Sequence, residues 1–435
     1  MIVLIYILTI LQIFYCFRGL LFGVCYMLLI RILIPDAARF TLLDLSMNTF
    51  CTLIVCIFWL YNIVVNGGYR KENRNFLNNF IYIFFLAHLI VALIPTQVPF
   101  SHQIGGMMQF FITQLLPIVI LTTVIKDKAD LHSVIRVFTV SFFICIIYGL
   151  VCFFMHFPYP YNQWFIDVFG YGRDANMEVS SNMEFGGIVG RIVGTPTADS
   201  YSFGMIVPIA FITQYSIYTY NKSRFNFLLL LMLAIGVICT TRRSPILTML
   251  VFYISLFIFK RRQEKIKILK YFFLFVFLFM VSIYLVPSLK PIKGVFETVI
   301  FFWDDAVAAR NDITGSSASF REYQFYYTLK QIKDNWLIGN GWGSMYYKDH
   351  PDMFGWESII FTTLMQFGIF GVLLWGALFW HMYKYSAQGK SDKSISKAFI
   401  ISALTLCIFT DTIYHFFIFL GAVILGKMRR LEQIK

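Results

Sequence analysis

Residues 224–260 read RFNFLLLLMLAIGVICTTRRSPILTMLVFYISLFIFK, two apolar runs (224–241 and 244–260) that meet at Arg242-Arg243. Each run is close to the roughly 20 residues a helix needs to cross the hydrocarbon of a bilayer. The turn between them is so short that the helices must run antiparallel. Lys222 with Arg224, and Lys260-Arg261-Arg262, close the other end of this hairpin. Short loops rich in Lys and Arg stay in the cytoplasm. That leaves Arg242 and Arg243 on the extracytoplasmic side, where the same rule disfavours them.

The alternation extends over the whole chain. Further apolar runs fall at 2–17, 19–34, 45–65, 79–95, 107–125, 134–156, 199–219, 268–287, 358–383 and 396–426. The first two form a tight hairpin around Arg18; the last is broken at Asp411-Thr-Ile-Tyr-His415 and reads as one tilted helix or two short ones. Hydrophobic residues are 58% of the chain and charged ones 14%, whereas a soluble domain carries about 25% charged residues. The fold class predicted is an all-α polytopic integral membrane protein, one membrane domain over 1–435, with about 12–13 transmembrane helices. The N-terminal run lacks a basic flank and a small-residue cleavage site, so it reads as an uncleaved span. All eight cysteines lie in apolar runs, which points to packing thiols rather than a disulfide framework.

The formal net charge of +13 comes mostly from the basic loops near 70–74, 126–128, 222–224, 260–270, 384–393 and 427–430. No basic stripe or recognition motif accompanies it, so nucleic acid is not an expected partner. Two long loops, 157–198 and 288–357, remain on the extracytoplasmic face. Loops of that length usually carry function. In the second, Phe320 to Trp336 repeats apolar and aromatic residues at helical spacing and is expected to lie on the membrane surface.

Charges at membrane depth are costly and mark candidate sites. The planar guanidinium forks of Arg242 and Arg243 match phosphate oxygens; the plainer reading is that both reach up to lipid headgroups. Arg191, in Gly190-Arg-Ile-Val-Gly-Thr-Pro196, precedes the span at 199, with Arg173, Asp174 and Glu184 upstream. Arg321 lies in the second loop. Gly339-Asn-Gly-Trp-Gly343 is a turn-rich run that reads as flexible, followed by Lys348, Asp349, His350 and Asp352, then Gly355-Trp-Glu-Ser358 at the mouth of the next span. Glu357 there is either a general base or the cap of the helix it precedes. The sequence shows no metal-ligand spacing, P-loop, GxSxG or HExxH motif.

Three of these segments together resemble the Wzy-type O-antigen polymerase and O-antigen ligase superfamily of membrane glycosyltransferases. Arg191-Ile-Val-Gly-Thr-Pro196 is similar to its Arg-containing stretch before a span. Thr240-Thr-Arg-Arg-Ser-Pro245 is similar to its Arg-bearing turn and places the family Arg on Arg243. Ile338 through Gly371 is similar to its GxG, helix, GxxG ending. Ligases start that helix with His-Asn, whereas Glu357-Ser358 stands here, which fits polymerases better.

The resemblance implies a lipid substrate, undecaprenyl pyrophosphate carrying an oligosaccharide repeat, and polymerisation on the periplasmic face of a bacterial inner membrane. Arg243 and Arg191 would stabilise the leaving pyrophosphate, and Glu357 or His350 would take the acceptor proton. Arg242, Arg321, Arg173 and Lys348 would hold substrate, and the loop aromatics Tyr159, Tyr161, Trp164, Trp342 and Tyr346 would stack on sugar faces. No cofactor or metal is implied, and the expected partners are a chain-length regulator and a flippase. An O-antigen ligase-type transferase, and a flippase or other transporter of lipid-linked glycan, are the alternatives.

Overall fold

The computed structural model describes residues 2–35, 38–40, 45–65, 75–94, 96, 98–155, 157, 159–169, 191–197, 200–240, 242–266, 268–269, 273, 277, 294, 297, 301, 304–310, 318–347, 356, 358–388, 393–410 and 415–432. It is a helical bundle. Met47–Val65, Phe100–Val124, Lys128–Met155 and Ile359–Ser386 are each long and apolar enough to cross a membrane, and shorter apolar helices stand beside them. The expectation of an all-α polytopic membrane protein is met.

The helices are α1 (Ile2–Arg18), α2 (Leu20–Leu33), α3 (Met47–Val65), α4 (Phe76–Ala92), α5 (Phe100–Phe110), α6 (Leu116–Val124), α7 (Lys128–Met155), α8 (Pro160–Phe169), α9 (Ser200–Tyr220), α10 (Arg224–Cys239), α11 (Arg243–Phe259), α12 (Asp305–Arg310), α13 (Ala318–Gln331), α14 (Ser344–Tyr347), α15 (Ile359–Ser386), α16 (Ser394–Phe409) and α17 (His415–Glu432). A π-helical stretch, Phe111–Leu115, joins α5 to α6. Arg39–Phe40 (β1) and Leu45–Ser46 (β2) make one antiparallel ribbon between α2 and α3.

The local signals are legible. Asn75 caps α4 by accepting from Leu77 and Asn78 N–H. Ser223 caps α10 through Asn226 N–H. The α1–α2 hairpin closes at Arg18-Gly19, and Gln12 Nε2 donates to Gly23 O at 3.0 Å across it. The run at 396–426 is two helices, α16 and α17. The span expected at 268–287 lies mostly outside the described residues.

Basic turns gather at one end of the bundle. Lys427 Nζ donates to Ile125 O. Ser394 Oγ donates to Phe259 O at 2.9 Å and Ser396 Oγ to Ser386 O at 2.7 Å. The His132 and Tyr220 rings stand 6.2 Å apart. The turns near 126, 221, 260, 386–394 and 427 are therefore neighbours, as the charge pattern requires.

At the other end α15 is broken. Gly368 has φ 60° and ψ −157°, so the helix cannot continue through it. The following N–H groups of Ile369 and Phe370 turn to Trp336 O (3.0 Å) and Leu337 O (3.1 Å). The preceding carbonyls of Met365 and Gln366 accept from Asn340 N (2.9 Å) and Gly341 N (3.0 Å). Backbone groups opened by the break are thus met by the inserted loop, which an apolar setting demands. The glycines are needed here: a Cβ on Gly368 would strike Leu337 C and Trp336 O, and one on Gly339 would strike the Gln366–Phe367 peptide. The run 339–343, expected to be flexible, is a locked insert. Its outer side is held by α5, where Trp342 N donates to Gln103 Oε1 at 3.3 Å and the indole lies over Gly106.

The amphipathic helix of the second loop exists as α13, but Trp336 falls beyond it, in the turn that caps the broken α15. α8 is a further helix in the first loop that the hydropathy did not reveal.

Candidate active site

The segment 191–197 has no regular structure and is held by side chains. Ile192 N donates to Cys239 O at 3.1 Å, fixing the segment on the end of α10. Tyr159 OH donates to Arg191 O (2.8 Å), Asn162 Nδ2 to Gly194 O (2.8 Å) and Thr195 Oγ1 to Ile32 O (2.7 Å). Gly149 and Gly194 permit the close passage, since a Cβ on either would strike Val193 O or the Phe203 ring.

This docking brings Arg191 to the Arg242-Arg243 turn. Burial lowers the Arg191 pKa from its ordinary value to about 9, and the positive charge of Arg242 pushes it the same way. It stays protonated at neutral pH. Two like charges are thereby held close in a partly desolvated place, where an anion would be favoured.

Arg242 is the N-cap of α11 and Arg243 its first residue. The Arg242 guanidinium stacks on the Tyr201 ring, 4.8 Å from its centre. The N-terminal end of α11 adds its own partial positive charge. Ser244, the next residue, donates to Phe409 O at 3.2 Å. Arg321 comes down from α13 to the same carbonyl at 3.3 Å, its guanidinium 5.1 Å from the centre of the Phe409 ring. Arg191, Arg242, Arg243 and Arg321 are therefore assembled from the two long loops and the α10–α11 turn, at the end of the bundle opposite the basic turns.

Arg173, Lys348, His350 and Glu357 lie outside the described residues, so the structure places none of them. It does decide one point beside them: the cap of α15 is Ser358, whose side chain accepts from Ile360 N at 3.2 Å. The loop aromatics Tyr159, Tyr161 and Trp342 have partners within the bundle. Tyr159 and Tyr161 spend their hydroxyls on Arg191 O and Leu33 O, and Trp342 packs between Phe110 and Phe367. These rings tie loops to the bundle.

Two charged or polar residues of this end were passed over in the sequence. Arg31 sits inside α2, 6% exposed, and His415 opens α17, likewise 6% exposed. An ionisable residue inside an apolar run is the signal that could have found both.

Fold and site together define a polytopic membrane protein with an arginine-lined centre at one end of its bundle. A family model described as O-antigen ligase matches residues 227–376, about a third of the chain, which is consistent with the O-antigen polymerase and ligase superfamily. The matched stretch holds Arg242, Arg243, Arg321 and the break in α15 at Gly368, and begins after Arg191. A search of curated proteins found no match. The match supports a membrane glycan-processing enzyme of this type.

Proposed function

We propose that the protein polymerises lipid-linked oligosaccharide repeats on the extracytoplasmic face of a bacterial inner membrane. The observation that carries this reading is the assembly of Arg191, Arg242, Arg243 and Arg321 at the end away from the basic turns. The donor is a glycan on undecaprenyl pyrophosphate. A hydroxyl of the acceptor repeat attacks C1 of the donor sugar, and a new C–O bond forms as the C1–O bond to pyrophosphate breaks. The electron pair leaves with the lipid pyrophosphate. Arginines beside that oxygen stabilise the charge that develops on it. The acceptor proton goes to a base, for which Glu357 and His350 are the candidates.

Polymerase is preferred to ligase because Glu357-Ser358 stands where the ligases carry His-Asn. Ser358 supplies the cap of α15, so Glu357 is not needed for that task. A transporter reading is disfavoured because the loop arginines collect at one end.

The test is reconstitution of purified protein with lipid-linked repeats. A ladder of lengthening glycan with release of undecaprenyl pyrophosphate is expected. Transfer of a single glycan onto an added lipid A core acceptor, with no ladder, would assign a ligase instead.

A further inference from the structure

Arg31 is a charge set among apolar helices. It lies in the last turn of α2, near the arginine end of the bundle, because the next residue, Ile32, receives the Thr195 hydroxyl. A guanidinium there suits the helix dipole. It does not, however, reach solvent. Its Nη2 donates to Thr52 Oγ1 of α3 at 2.9 Å, and its centre sits 4.3 Å from the ring centroid of Phe416 in α17. Its Nε is buried without a hydrogen-bond acceptor. Among the described residues no carboxylate pairs with it; the ion pair found is Lys260–Glu264 at the opposite end.

Another unmet polar group stands beside Thr52. Asn48, one turn before Thr52 in α3, leaves its side-chain oxygen buried and unbonded, and amide oxygen and nitrogen are interchangeable by a flip. His415, next to Phe416 in sequence, packs its ring against Trp375 and Phe110 and is not part of this group. A buried cation with only a hydroxyl and an aromatic face costs free energy unless an anion joins it. Unmet polar groups of this kind mark the place of a missing water, ion or ligand.

We propose that Arg31, with Thr52 and Asn48 beside it, is an anion site for the phosphate groups of a polyprenyl-linked substrate, separate from the arginines of the loops. Naming the anion as a lipid-linked diphosphate rests on the polymerase reading; the anion site itself does not. An enzyme that joins two lipid-linked chains holds two diphosphates at once. The loop arginines serve the donor, whose diphosphate leaves. Arg31 serves the acceptor, whose diphosphate stays attached.

The experiment titrates the full chain in nanodiscs with farnesyl diphosphate, and with inorganic pyrophosphate and farnesol as comparators. The wild type should take up two farnesyl diphosphates, and farnesol should not compete at either site. Arg31→Met should weaken one of the two by about tenfold or more and leave the other. Arg31→Lys should retain part of the affinity. Arg243→Ala should remove the other site and spare the one at Arg31. Should Arg31→Met fail to fold, Thr52→Val, which keeps the shape and removes the hydroxyl, should weaken the same site several-fold. Two unaltered sites in Arg31→Met, or in Thr52→Val if that variant is the one that folds, would overturn the proposal. Equal Arg31-dependent binding of inorganic pyrophosphate would assign a free anion and overturn the lipid-linked part. Full-length glycan in cells lacking the protein would defeat the polymerase reading while leaving these binding results to decide the anion site.

Discussion

Two adjacent arginines in the α10–α11 turn have different work. Arg242 lies on Tyr201, and Arg243 begins the helix beside Ser244. Arg243 is expected to be the one whose loss stops chain growth. Arg243→Ala should lower the rate of transfer by about a hundredfold or more, the size associated with losing a charge-stabilising donor. Arg243→Lys should rescue little, because an ammonium lacks the bidentate fork. Full-length polysaccharide from a stably expressed Arg243→Ala protein would remove it from the site; loss in Arg242→Ala alone would move the role one residue. The neighbours Glu357 and Ser358 make a second residue-scale contrast. Ser358→Ala should cost about 1 kcal/mol of stability as a lost N-cap, with little change in turnover. Glu357→Gln should keep stability and slow transfer by about a hundredfold. A Glu357→Gln enzyme of normal rate would pass the role of base to His350, which His350→Ala then tests.

At the scale of the element, the break in α15 is the feature that hydropathy conceals. Gly368 lies within a helix long and apolar enough to cross a membrane, and its backbone angles leave no trace in composition. The glycines at 339, 341 and 368 were visible as motif; what they do was not, because the contact joins loop to helix across the sequence. Gly368→Ala should destabilise the folded protein by about 1–3 kcal/mol or more, through the left-handed backbone and the clash with Leu337. Thermal unfolding in detergent checks it, and an unchanged midpoint would mean that the insert is not rigid. The apolar runs themselves were legible because bilayer thickness fixes their length. Arg31 was missed because a single cation leaves a run's average almost unchanged; the signal is the residue itself and not the average. The fate of Tyr159 and Tyr161 was equally hidden, since a hydroxyl that ties a loop to a distant carbonyl looks, in sequence, like any loop tyrosine.

At the scale of the whole molecule, the bundle has two unlike ends. One gathers the basic turns, the other the loop arginines. The positive-inside rule assigns the first to the cytoplasm. Impermeant thiol labelling of cysteines placed at Arg262 and Lys330, both exposed, should mark only the second in intact spheroplasts. Six of the eight native cysteines are buried, which keeps the background low. Labelling at Arg262 alone would invert the orientation. The charge chemistry of the arginine end also predicts turnover that survives EDTA, because guanidinium groups are in place to meet the pyrophosphate; activity lost in EDTA and restored by magnesium would contradict it. The central claim, chain growth at that end, is tested most directly by the surface glycan of cells lacking the protein. The account predicts a single repeat unit transferred to its final acceptor and no longer chains. Absence of any transferred repeat would point to a ligase. A repeat stalled on the cytoplasmic leaflet would point to a flippase, and either result would contradict the account.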